Sequence, residues 1–137
     1  MRTTYALLDD DQVFTTWLNH LIHKLHPLLE HAGSFSETVD AARAVTRLKP
    51  DILFLDMQID CFNGLEFLEV LDYKPVTIVV SGSDNYKKRA ARLGALDYLV
   101  KPVSEEALQA AVGRALWLIR SERDRQEIKL RQSQRRF

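Results

Sequence analysis

Residues 76–103 read VTIVVSGSDNYKKRAARLGALDYLVKPV. Val76–Val80 is the most apolar run of the chain and strongly β-branched, as expected of a strand buried on both faces. It stops at Ser81-Gly82-Ser83-Asp84, a cluster of turn formers. Asn85–Leu93 reads as a helix closed by Gly94, the residue type that most easily adopts the left-handed conformation past a helix end. Tyr98–Val100 is a short strand ending at Lys101-Pro102. Strand, helix and strand in this succession form a βαβ unit, whose strands run parallel.

The same alternation extends upstream. Thr4–Leu8 is an apolar strand that stops at Asp9-Asp10-Asp11, and Ile52–Leu55 is a fully apolar strand ending at Asp56. His31–Ser36 is a weaker strand candidate. Between them, Gln12–Leu29 carries Val13, Trp17, Leu21, Leu25 and Leu28/Leu29 at helical spacing, interrupted near Pro27, and Thr38–Leu48 repeats Val39, Ala42, Val45 and Leu48. Met57–Gly64 reads as a polar loop and Leu65–Leu71 as a short helix. Ser104 is a good N-cap, with Glu105 and Glu106 favourable in the first turn of a last helix that runs past Trp117. Five apolar strands alternating with helices predict an α/β fold, a doubly wound parallel sheet covered on both faces.

Composition agrees. The chain has 137 residues, 46% hydrophobic, with Lys+Arg 19 balancing Asp+Glu 19. That suits one domain and argues against a generally basic nucleic-acid binder. One cysteine, Cys61, excludes an intramolecular disulfide framework and fits a reducing compartment; no apolar run is long enough for a membrane span and no signal-peptide core is present, so a cytoplasmic location is expected. The charge is uneven, because Ser121–Phe137 carries a net +3. That segment reads as a solvated helical extension or linker (121–137) leaving a domain of residues 1–120. Heptad spacing along it from Val112 is half polar, so a sustained coiled coil is poorly supported.

In doubly wound sheets, ligands bind beyond the carboxyl ends of the strands. The residues there are Asp9, Asp10, Asp11, Asp56, Ser81 and Lys101. Converging carboxylates either share a proton or hold a hard cation, and Mg²⁺ takes one or two carboxylates plus phosphate oxygens. A lysine and a hydroxyl suit the equatorial oxygens of a phosphoryl group, and a strand-end aspartate can be the nucleophile. These residue types suggest Mg²⁺-dependent phosphoryl transfer onto an aspartate.

The order Asp9-Asp10, Asp56, Gly64, Ser81-Gly82, Lys101-Pro102 resembles the receiver domain of two-component response regulators over about Thr4–Leu118. The stretch Ser81–Val103 is similar to receivers of the LytTR class. The resemblance implies a flavodoxin-like five-stranded sheet of order 2-1-3-4-5 with an extended C-terminal helix. It implies that Asp56 is the phosphoacceptor in a phosphorelay, that Asp10 ligates Mg²⁺ directly and Asp9 through water, and that the backbone carbonyl of Gln58 completes the protein ligands. Lys101 would contact the phosphoryl group and pair with Asp56, Ser81 would bond a phosphoryl oxygen, and Tyr98 would be the aromatic that rotates with it. The Lys101–Pro102 bond would be cis, and Gly82 would keep the phosphoryl accessible. A histidine kinase or phosphotransfer protein would be the donor. A homodimer through helix 4, strand 5 and helix 5, and an output domain beyond residue 137, are further implied partners, with no membrane and no direct nucleic-acid contact by this domain. Such a domain is not an enzyme beyond its own phosphorylation and dephosphorylation. Ile59 and Asp60 depart from the Met-Pro pair common in the family, and Gln58 and Ser83 lie at positions that tune dephosphorylation there.

Other readings stand beside this one. Asp9-Asp10-Asp11 could cap a helix, with Asp11 the capping residue. Ser81 could cap a turn, Lys101 could be an exposed lysine, and Tyr98 could simply pack. LLDDDQV (Leu7–Val13) is similar to haloacid-dehalogenase-type phosphatases, whose nucleophile would be Asp9, although no acidic pair closes a later strand. A receiver-like binding module that works without phosphorylation is the third reading. His20, His23 and His26 drift round a helix and read as a solvated or half-buried face, and Cys61 reads as an incidental thiol.

Overall fold

Ile52–Leu55 has no polar side chain, and in a computed structural model, which describes residues 2–59 and 62–135, all four of its residues are buried. This strand, β3, lies mid-sheet. The other sheet strands are β1 (Thr4–Leu8), β2 (Glu30–Phe35), β4 (Val76–Ser81) and β5 (Asp97–Val100). All pairings are parallel, in the order β2-β1-β3-β4-β5. The expected architecture and strand order are both present.

The continuous apolar runs hide a period of two. Tyr5, Leu7, Ile52, Phe54, Ile78, Val80 and Leu99 point to one face, where they meet Leu18, Leu21 and Ile22 of α1 (Gln12–Leu25) and Leu108, Ala111, Val112, Ala115 and Ile119 of α5 (Glu105–Arg135). Ala6, Leu8, Leu53 and Leu55 point to the other face, against Ala41 and Val45 of α2 (Thr38–Leu48) and Phe67 of α3 (Gly64–Val70). Val79 joins Met57 and Ala90, the latter on α4 (Lys87–Arg92). Burying both faces of three central strands leaves β2 and β5 as the edges.

Several expectations are corrected. α1 ends at Leu25, because His26 precedes Pro27 and adopts φ −136°, ψ 71°, outside the helical region that a following proline disfavours. Its buried face is Thr15, Leu18, Leu21 and Ile22, while Val13 is 82% exposed. In α2, Thr38, Ala41 and Val45 are buried, whereas Val39 and Leu48 are exposed. The expected loop after Asp56 contains two short antiparallel strands, Gln58–Ile59 and Phe62–Asn63. Asp60 and Cys61 lie outside the described residues, as do Arg136 and Phe137.

The local stop and start signals hold. Gly94 has φ +90° just past α4, and Ser104 Oγ accepts the Ala107 N–H at 3.1 Å at the start of α5. α5 has 31 residues, about 46 Å at a rise of 1.5 Å per residue. Beyond Ile119 it loses its buried face. One side chain of this outer part, Arg123, reaches back to Asp51 at 3.4 Å and to Thr3 Oγ1 at 3.3 Å.

Candidate functional site

Strand register brings the residues together. Because Leu8 pairs with Leu55, Leu55 with Val79, and Ser81 with Val100, residues following the strands emerge along one edge of the sheet. Asp9, Asp10 and Asp56 each place a carboxylate oxygen within 4.8 Å of the others. Asp9 is buried, Asp56 is half-buried and Asp10 is exposed. An open cleft of about 610 Å³ beside them is lined by Asp10, Asp56, Ser81, Gly82, Ser83, Asn85, Tyr86 and Lys101.

Burial of Asp9 is compensated on both oxygens. Oδ1 accepts the Asp11 N–H at 2.9 Å, and Oδ2 accepts from Lys101 Nζ at 2.7 Å. Asp56 Oδ2 lies farther from the same ammonium, at 3.8 Å. The expected Lys101–Asp56 pair is therefore the longer of two ion pairs, and the shorter one goes to Asp9. The Lys101 N–H donates to Ser81 O at 2.8 Å, and the Lys101–Pro102 peptide is cis, as expected. Asp11 is the N-cap of α1, its Oδ1 accepting the Phe14 N–H at 3.0 Å.

Ser81 is buried, and its Oγ accepts the Ser83 N–H at 3.3 Å. The Tyr98 hydroxyl donates to the carbonyl oxygen of Ser83. Both residues with suggested switching roles thus meet on the backbone of Ser83. Tyr98 packs with Met57, Val79 and Ala90. A Cβ at Gly82 would meet nothing within 4 Å, so that side of the cleft is open. Gln58 lies on the short strand that follows Met57.

Three carboxylates and one ammonium leave an excess of negative charge. That donor set is all oxygen, within a span that fits the octahedral shell of a hard divalent cation with waters filling the remaining positions. The residues present fit such an ion. Sequence reasoning missed Phe14, whose ring centroid lies 4.2 Å from Lys101 Nζ. It sits on the first turn of α1, and no spacing rule relates it to Lys101.

A larger depression of about 690 Å³ lies at the opposite edge, between the outer part of α5 and the strand starts. Its lining mixes Lys49, Lys74 and Arg123 with Asp51 and Glu122, and two of these pair locally, Lys49 with Asp72 and Arg123 with Asp51. Nothing there gathers groups of one sign, so the chemistry belongs to the carboxylate edge. His20 and His23 are exposed and His26 half-buried, as expected of a face of that kind. Among the described residues no helix is long and apolar enough to cross a membrane.

Comparison with known proteins agrees with this geometry. The family described as the response regulator receiver domain matches residues 6–113. The chain belongs to that family, whose members are signalling modules of two-component systems. Transcriptional regulatory protein BtsR of Salmonella typhi is 36% identical over 104 residues, covering 74% of this chain and 42% of that protein. An uncharacterized response regulatory protein of Vibrio cholerae is 34% identical over 112 residues, covering 80% of this chain and 47% of its own length. The chain therefore spans less than half the length of these curated relatives. Among solved structures, the signal receiver domain of a putative Luxo repressor protein from Vibrio parahaemolyticus superimposes with a TM-score of 0.80 at 20% identity, over 89% of this chain and 95% of that one. The response regulatory domain of mrkE from Klebsiella pneumoniae gives 0.77 at 23% identity, over 85% and 97%.

Proposed function

We propose that this chain is a phosphoacceptor switch that takes a phosphoryl group from a histidine kinase or phosphotransfer protein onto Asp56. The observation that carries the reading is the convergence of three carboxylates within 4.8 Å beside one buried-side lysine and one buried hydroxyl. Asp9 has both oxygens engaged by Lys101 and the Asp11 N–H. Asp56 faces the open cleft, which favours it over Asp9 as nucleophile and argues against the phosphatase reading.

An oxygen of Asp56 attacks phosphorus, the P–N bond to the donor histidine breaks, and the imidazole nitrogen leaves with the electron pair and takes a proton. Asp9, Asp10, Asp56 and the Gln58 carbonyl would hold a Mg²⁺ ion, which would neutralise charge on the phosphoryl oxygens. Lys101, which already lies between Asp9 and Asp56, moves its ammonium toward the new oxygens. Ser81 Oγ, which accepts the Ser83 N–H at 3.3 Å, turns to donate its hydroxyl hydrogen to a phosphoryl oxygen and releases that long bond. The Ser83 peptide then shifts, and Tyr98, bonded to its carbonyl, follows.

These changes bias the face formed by α4, β5 and α5 between two arrangements and so alter affinity for a partner or a second copy. Residues 1–120 form the switch, and 121–137 serve as a helical extension or linker. A relative's name as a transcriptional regulatory protein supports a DNA-directed output. The reading sets the domain in the cytoplasm, where kinases of this kind act.

Intact-mass spectrometry after incubation with Mg²⁺ and acetyl phosphate or phosphoramidate tests the reading. The expected result is a single phosphoryl increment, absent from Asp56→Ala. Full labelling of that variant excludes Asp56 as acceptor, and repeated turnover of p-nitrophenyl phosphate would favour a phosphatase.

A further inference from the structure

An ammonium has three donors and no preferred partner geometry beyond them. Around Lys101 Nζ, Asp9 Oδ2 lies at 2.7 Å, Asp56 Oδ2 at 3.8 Å, and the centroid of the Phe14 ring at 4.2 Å. The ring is itself held in place. Its backbone N–H is the one capped by Asp11, and its face leans on Trp17, with centroids 5.7 Å apart and planes at 38°.

We propose that Phe14 is a positioning residue for Lys101, holding the ammonium against the site while it passes from Asp9 to a group on Asp56. The inference rests on the reading of Asp56 as phosphoacceptor. The physical reason lies in how the two kinds of partner differ. A carboxylate bond is directional and must be broken for the ammonium to move. Attraction to an aromatic face persists over centroid distances up to about 6 Å. Going from one carboxylate to the other therefore leaves the ring contact in place. Without the ring, water would solvate that side of the ammonium, and the long lysine side chain would regain rotamer freedom. An aliphatic residue would fill part of the space but offers no negative face.

Two measurements test this. In NMR spectra of the metal-free protein, the methylene protons next to Lys101 Nζ should be displaced upfield by the ring relative to exposed Lys87 and Lys88. Phe14→Leu should abolish the displacement and Phe14→Tyr should keep it. With Mg²⁺ and acetyl phosphate, Phe14→Leu should take up phosphoryl about three- to tenfold more slowly, the range expected for one cation–π contact. Phe14→Tyr should stay within about twofold of the parent. No upfield displacement in the parent protein overturns the proposal. So does equal uptake by parent and Phe14→Leu, or equal slowing of the Leu and Tyr variants, which would mark a packing effect. If the parent takes up no phosphoryl at all, the acceptor reading has failed and the positioning role falls with it.

Discussion

Gly64→Ala is expected to be among the most damaging single-methyl additions in this chain. A Cβ built on Gly64 would lie 2.2 Å from the backbone oxygen of Asp56 and 3.1 Å from Met57 Cα. Real Cβ atoms essentially never come closer than 3.0 Å, so about 0.8 Å must open. The clashing atom is backbone, and no rotamer change can relieve it. Asp56 is held on the preceding peptide, where its N–H donates to Leu8 O at 2.9 Å. The start of α3 must give instead, and it is tied to the same place by the Gly64 N–H donating to Met57 O at 2.7 Å. Overpacking of this kind costs about 1–3 kcal/mol and a lost hydrogen bond about 1 kcal/mol more. The expected loss is about 3 kcal/mol, or about 10 °C in Tm for a chain of this length. Urea unfolding followed by tryptophan fluorescence, with a thermal melt by circular dichroism, measures it. Gly82→Ala is the control, since its Cβ meets nothing within 4 Å. A Gly64→Ala midpoint indistinguishable from that of the control would refute the argument.

The remaining expectations concern helix propensity, the buried ion pair and pH. Gly113→Ala adds a methyl into open space in the middle of α5 and should stabilise by about 0.5–1 kcal/mol, read as a higher urea midpoint. Lys101→Met leaves the carboxylate of Asp9, 5% exposed, without its cation; a loss of about 1–3 kcal/mol is expected, partly recovered on adding Mg²⁺, in denaturation curves with and without the ion. Burial lowers the pKa of His26, whose Nε2 is buried without a hydrogen-bond partner. The unfolded chain then binds a proton near pH 6.5 that the folded chain does not. Stability should therefore fall as pH drops through about 6.5, and His26→Leu should reduce the slope measured between about pH 7.5 and 5.5.

The features legible in the sequence are those governed by neighbours along the chain. Apolar runs of four or five residues predicted β1, β3 and β4. Gly94, Ser104 and Asp11 announced their helix ends, because caps act within one turn. The alternation of elements predicted a parallel sheet, and the strand-end rule then placed Asp9, Asp10, Asp56, Ser81 and Lys101 at one edge. Periodicity alone left the rotation of α1 undetermined: Val13 and Trp17 share a helical spacing with Leu21, yet the sheet covers Thr15, Leu18, Leu21 and Ile22 instead. Only the tertiary structure decided that Lys101 bonds Asp9 more closely than Asp56, that Phe14 lies beneath it, and that Arg123 ties α5 to the starts of β1 and β3. These contacts join residues as far as 92 and 120 positions apart. Which partner each takes depends on strand register, helix rotation and the few ångströms between competing charges, and no rule of sequence spacing carries that information.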